Sequence, residues 1–257
     1  MTKLTLFVKA FNGGQLKQVD ELLQAQFEGL DVEAKITANP TNKWVQATIE
    51  GEDEAVALAF ARKEIGVCPG SLDNVAEDAS LRGYVAKVDE SRGQLLVDVG
   101  VFDPKTIQAV VSLGALRAQL SAGKEATVKT IADAYGIAEG LPISVKIISK
   151  EEASLKAELS PEQVEKLVGW QQSLLDRLII LRTNKELVTS TLERTRLNRD
   201  VIDVDQLGFF EFSLTCKLGT AARGLVPRIG RYMRNAVFVV FNAEKSVAFL
   251  SDQAITL

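Results

Sequence analysis

The sequence predicts an α+β fold assembled from small antiparallel sheets. Three observations carry that expectation. Short runs alternate strictly between apolar and polar residues, Phe209–Leu218 being the clearest. The links between such runs are of hairpin length, as in Asp89–Gly93. The regular strand–helix–strand–helix order that a parallel sheet requires is missing. The chain has 257 residues, 46% of them apolar and 25% charged, which suffices for real cores and lies outside disordered or fibrous composition.

Residues 1–66 form the first expected unit. Lys3–Lys9 alternates as a strand, and Gly13-Gly14 turns the chain into a helix with Leu16, Val19, Leu22, Leu23 and Phe27 on one face. Val32–Ala38 and Trp44–Ile49 flank the turn Asn39-Pro40-Thr41-Asn42 and read as a hairpin. Glu52, Asp53 and Glu54 suit the first turn of a second helix that Gly66 ends. The order β-α-β-β-α is most of a ferredoxin-like unit.

Residues 67–159 form the second. Gly83–Val88 and Gln94–Val101 make a hairpin. Helices are expected at about Lys105–Leu120 and Glu125–Tyr135, and strands at Ile143–Ser149 and Ser154–Leu159. The stretch RGYVAKVDESRGQLLVDVG resembles the opening hairpin of an S1-like OB-fold, and ISVKIISKEEASLKAELS resembles its closing hairpin. That resemblance implies a barrel with a helical insertion, a fold whose usual ligand is single-stranded nucleic acid. This copy is acidic and shows no obvious aromatic pair on its open face, with Tyr84 read as core.

Residues 160–257 form the third unit, α+β and OB-like. Ser160-Pro161-Glu162-Gln163 opens a helix through a cap, a proline at the first position and a capping box. Leu178–Leu181 already reads as strand, and a helix follows near Lys185–Arg194. In Phe209–Leu218, the set Phe210, Phe212, Leu214, Cys216 and Leu218 is assigned to the core. Phe209, Glu211, Ser213, Thr215 and Lys217 are assigned to the solvent face. In Gly219–Gly230 the glycines are read as turn formers and the arginines as ligands for an anion.

Absent residue types exclude much chemistry. With no histidine, Ser-His-Asp and Cys-His catalysis and HExxH zinc sites are impossible in this chain. Cys68 and Cys216 stand alone, without CxxC spacing, and are expected as free thiols. No phosphate-binding glycine loop or nucleophile elbow is present. No window resembles a membrane span, the N-terminal MTKLTLFVKAFNGG reads as strand rather than leader, and a cytoplasmic protein without cofactor is expected.

Charge is unevenly placed. Residues 1–176 carry 18 basic and 26 acidic side chains, whereas residues 177–243 carry 11 and 6. From Phe212 to Ala243 there are five basic residues and no acid. A one-sided distribution of this kind is the footprint of a polyanion ligand, and equally that of a solvated surface.

The succession LLVDVGVF, LPISVKI, SLLDRLIIL and RDVIDVDQLGFFEFSLTCKLGTAARGLVPRIGR resembles the DUF2110 family, an archaeal family of unknown function. The resemblance spans most of residues 80–241 and is most specific at CKLGTAARGLVPRIG. It implies an archaeal protein with no assigned activity and, from the family's gene surroundings, a link to transcription or translation.

The expected function is therefore a non-enzymatic nucleic-acid- or ribonucleoprotein-associated factor, its partner RNA, the ribosome or RNA polymerase. Its candidate binding residues are Phe209, Lys217, Arg223, Arg228, Arg231 and Arg234, the last three grouped on one side if their stretch is helical. The alternative is a homodimeric protein–protein adaptor without nucleic-acid contact. An enzyme would have to use carboxylates and lysines, and Asp203 with Asp205, two apart on one strand face, is the pair that could serve.

Overall fold

The computed structural model describes residues 1–151 and 154–251. Compactness divides the chain into two units, Met1–Val75 with Val99–Ile107, and Ala76–Asp98 with Gln108–Leu257.

In the first unit, β1 (Thr2–Lys9), α1 (Gly13–Gln26), β2 (Val32–Ala38), β3 (Trp44–Gly51) and α2 (Glu54–Glu64) follow in the expected order. The sheet order is β1-β3-β2, all antiparallel. Asn12 caps α1, its side chain accepting the Gln15 N–H at 2.9 Å. Asn39 shapes the hairpin turn, its side chain accepting the Thr41 N–H at 2.9 Å. Beyond β1 the chain returns as a partial fourth strand: Val67 bridges Leu6, and the Cys68 N–H donates to the Thr5 carbonyl at 2.8 Å. This completes the split β-α-β arrangement. Leu6, Val8, Val19, Leu23, Trp44 and Ile49 are fully buried in its core.

The short β4 (Gly70–Ser71) pairs in parallel with β6 (Gln94–Asp103) at Gly70 and Val101. Strand β6 belongs to a sheet with β5 (Ser80–Asp89), β7 (Ile107–Ser112), β8 (Pro142–Lys150) and β9 (Leu155–Leu159). The order β6-β5-β8-β9-β7, with a further β6–β7 pairing, closes a five-stranded barrel. Strand β5 pairs antiparallel with β6 and with β8, β8 pairs antiparallel with β9, and β7 pairs parallel with β9. Helices α3 (Leu113–Leu120) and α4 (Val128–Tyr135) are inserted between β7 and β8. This is the Greek-key order of an OB-like barrel. One correction concerns Lys105–Leu120: its first half is strand β7, not helix. Ile107, Ala109 and Val111 alternate inward, and Ser112 then caps α3 by accepting the Ala115 N–H at 3.2 Å.

The remaining chain holds α5 (Pro161–Gln172), β10 (Arg177–Leu181), α6 (Lys185–Thr195), β11 (Val201–Gln206), β12 (Glu211–Cys216), α7 (Ala222–Ile229), β13 (Val237–Phe241) and α8 (Ala243–Ser251). Its four strands form an antiparallel sheet in the order β11-β12-β10-β13. Ser160 caps α5 as expected, but the capping box is not closed. The Gln163 side chain instead accepts the Ser144 N–H of β8 at 3.1 Å.

The expected solvent face of β12 is corrected. All six residues of the strand are buried, because β12 is central in its sheet and covered on both faces. Phe212, Leu214 and Cys216 pack with Leu178, Val188, Leu225 and Ile229 under α6 and α7. Glu211, Ser213 and Thr215 face the other way and are buried as well. Leu218, assigned to the core, lies beyond the strand and is 79% exposed. Both cysteines are buried free thiols. Among the described residues no helix is long and apolar enough to cross a membrane.

Candidate nucleic-acid interface

The basic residues belong to the end of α6, the loop after it, and α7 with the turns that follow. Helix α6 is capped by Asn184, whose side chain accepts the Leu187 N–H at 2.8 Å, and it ends where Arg196 adopts a left-handed conformation. A single 3₁₀ turn, Leu197–Arg199, then leads to Asp200. The Asp200 carbonyl accepts the Lys217 N–H at 2.8 Å, tying the end of β12 to this loop. Helix α7 starts at Ala222, whose N–H donates to the Asp176 carboxylate at 3.1 Å.

Phe209 precedes β12 and is half-buried, its ring edge-on to Phe210 with centroids 4.8 Å apart. It does not join Lys217 on an open strand face. Lys217 is exposed just after β12, and Arg223 is exposed on α7. Arg228 donates to Asp200 Oδ2 at 3.5 Å and to the Thr195 carbonyl at 3.1 Å. Arg231 and Arg234 are exposed, but α7 stops at Ile229, so they sit in turns rather than on a helical stripe with Arg228. Gly219, with φ +83°, is a turn former as read; Gly224 is helical.

Arg194 lies outside the residues that sequence spacing singles out. Its guanidinium lies 4.7 Å from the centroid of the Tyr232 ring, the same distance as that of Arg231. Two cations 37 residues apart in sequence thus share one half-buried aromatic ring. Arg196 and Arg199 are exposed close by in the chain. Among the described residues, no carboxylate pairs with Arg194, Arg196, Arg199, Lys217, Arg223, Arg231 or Arg234; Arg228 alone of this group has an ion-pair partner. Guanidinium planes free of carboxylates can take phosphate oxygens in bidentate fashion or stack on bases.

A second charged cluster lies on the opposite face of the same sheet. Arg177 Nη1 donates to Asp205 Oδ2 at 3.0 Å and to Thr215 Oγ1, and the guanidinium lies 5.1 Å from the Trp170 ring centroid. The Lys166 ammonium lies 5.7 Å from the same ring. Burial, then the neighbouring charge of Asp203, raises the Asp205 carboxyl above its ordinary range. Burial likewise lowers Arg177, and it lowers Lys166 although that side chain is exposed at the surface. Both members of the Arg177–Asp205 pair shift as burial dictates and against what their attraction dictates. Desolvation therefore outweighs pairing here. Asp203 and Asp205 do share a strand face, as read from sequence, opposite Thr215 and Ser213 of β12. Among the described residues no group of three or more His, Cys, Asp or Glu could hold a metal ion.

Fold and surface together define an α+β protein with an OB-like barrel and a basic face on a separate four-stranded sheet. The DUF2110 central domain matches residues 75–171 and the DUF2110 C-terminal domain matches residues 175–241. These matches cover more than half of the chain, which belongs to the DUF2110 family. No curated protein matches it.

Proposed function

We propose that this protein is a cytoplasmic nucleic-acid- or ribonucleoprotein-associated factor that acts by binding, its partner RNA, the ribosome or RNA polymerase. The observation that carries the reading is the convergence of Arg194 and Arg231 on Tyr232, at 4.7 Å each, with no carboxylate among the described residues pairing with either. Like charges held together without counter-charge cost free energy in the isolated protein, and a phosphate backbone relieves that cost. Lys217, Arg223 and Arg199 extend the same cationic surface around the ends of α6 and α7.

The experiment is electrophoretic mobility of single-stranded RNA with the full chain at two salt concentrations. Arg194→Glu with Arg231→Glu is expected to weaken binding at least about tenfold. It should also flatten the salt dependence by about one unit of slope per lost contact. Circular dichroism controls the fold. A folded double variant that binds as the parent does, or a parent that binds no RNA at low salt, overturns the reading.

A further inference from the structure

We propose that the first unit pairs with a second copy of itself, edge to edge through β2, in one register centred on Ala34. Strand β2 is an edge of its sheet, and its backbone directions are settled by two separate bonds. The Asn39 N–H donates to the Trp44 carbonyl at 2.9 Å, which turns the odd-numbered residues of β2 toward β3. The even-numbered residues therefore direct their N–H and C=O groups outward. Consistent with this, the outward carbonyl of Ala34 is reached by the exposed Gln24 Nε2 at 3.3 Å. Among the described residues, the outward groups of Val32 and Ile36 and the N–H of Ala34 have no hydrogen-bond partner.

The side chains select the occupant. Glu33 and Lys35 lie exposed on one face of β2, 2.7 Å apart. In a two-fold antiparallel pairing centred on Ala34, Glu33 of each copy lies opposite Lys35 of the other, giving two cross-strand ion pairs. The two Ala34 residues then exchange both backbone bonds, and each Val32 meets an Ile36. A slip of one centre in either direction sets Glu33 against Glu33 or Lys35 against Lys35, which is repulsive. On the other face of β2, a groove of about 420 Å³ runs beside α1, lined by Leu16, Lys17, Ala34 and Ile36. The Val32–Ile36 pairs fall on that side. Charge complementarity thus points to a second copy rather than to an unrelated strand.

The test is sedimentation velocity on the full chain over concentrations on the order of 1 to 100 μM. The parent should dimerise with rising concentration. Glu33→Lys, which opposes lysines twice, should weaken the dimer about tenfold or more, and Glu33→Lys with Lys35→Glu should restore it. Ala34→Pro removes an N–H that the monomer's ladder does not use and should leave a folded monomer. A parent that stays monomeric throughout overturns the proposal. So does a charge swap that fails to regain what Glu33→Lys lost, or an Ala34→Pro chain that is folded and still dimeric. None of these outcomes depends on RNA binding by α6 and α7.

Discussion

The carboxylate of Asp176 accepts the backbone N–H of Ala222, 46 residues away, at the first position of α7. Its other oxygen accepts the N–H of Ala243 at 3.0 Å, at the start of α8, and both oxygens receive the Asn242 amide at 3.2 and 3.3 Å. One acid just before β10 thereby serves two helix N-termini, where N–H groups lack intrahelical partners and the dipole favours negative charge. It also adds to burial in pushing the nearby Cys216 thiol up to about 11.

Asp176→Ala should therefore destabilise the protein by about 2–3 kcal/mol, since it strips charge-assisted bonds from two helices at once. Asp176→Asn keeps one oxygen acceptor and should cost less. Urea denaturation reads the difference, and an alanine variant as stable as the parent would show that water replaces these bonds without loss.

What could be read from the chain follows how local each feature is. Ser160 sits one turn from the N–H group it caps, and that helix start was legible, as was the start of α1 from Gly13-Gly14. The hairpins around Asn39 and Gly93 were legible for the same reason. Strand β7 was not, because Ile107–Val111 runs directly into the amphipathic α3 and its parallel partner β9 lies over forty residues on. Polar Ser213 and Thr215 marked a solvent face by pattern, yet β12 is one of two inner strands of its sheet and tertiary cover overrides alternation. Arg194 was invisible beside Arg231 because only folding sets both on Tyr232.

Gly100 in β6 has φ +75°, and a Cβ there would lie 2.5 Å from the Cβ of Cys68 and 2.6 Å from its Sγ. Cys68 cannot withdraw readily, since its N–H is bonded to the Thr5 carbonyl and its side chain is buried. Gly100→Ala combines left-handed strain with overpacking, and a loss of about 3 kcal/mol or more is expected. Adding Cys68→Ala should recover little, because the closer of the two contacts is to the Cβ. Thermal unfolding followed by circular dichroism checks both, and full rescue in the double variant would assign the cost to the sulfur instead.

The Arg177–Asp205 pair makes a pH-dependent prediction. Asp205 titrates above its ordinary value of 3.8 in the folded protein, from burial first and Asp203 second, with Arg177 opposing the rise. An acid whose folded pKa is raised contributes stability that is fully present below the unfolded value and lost as pH climbs through the folded one. Arg177→Met removes the opposing cation, raises Asp205 further and enlarges that loss. The substitution should therefore cost more at pH 7 than at pH 4. The Asp205 side chain is 39% exposed, so solvent limits the uncompensated charge, and about 1–2 kcal/mol is expected at pH 7. At pH 4 the cost should shrink, because less of Asp205 is ionised there than at pH 7. Methionine also removes Arg177 Nε, a buried donor without a partner among the described residues. Urea curves at the two pH values measure this directly. An equal cost at both, or a larger one in acid, would mean that Arg177 acts through its packing on Trp170 rather than through its charge.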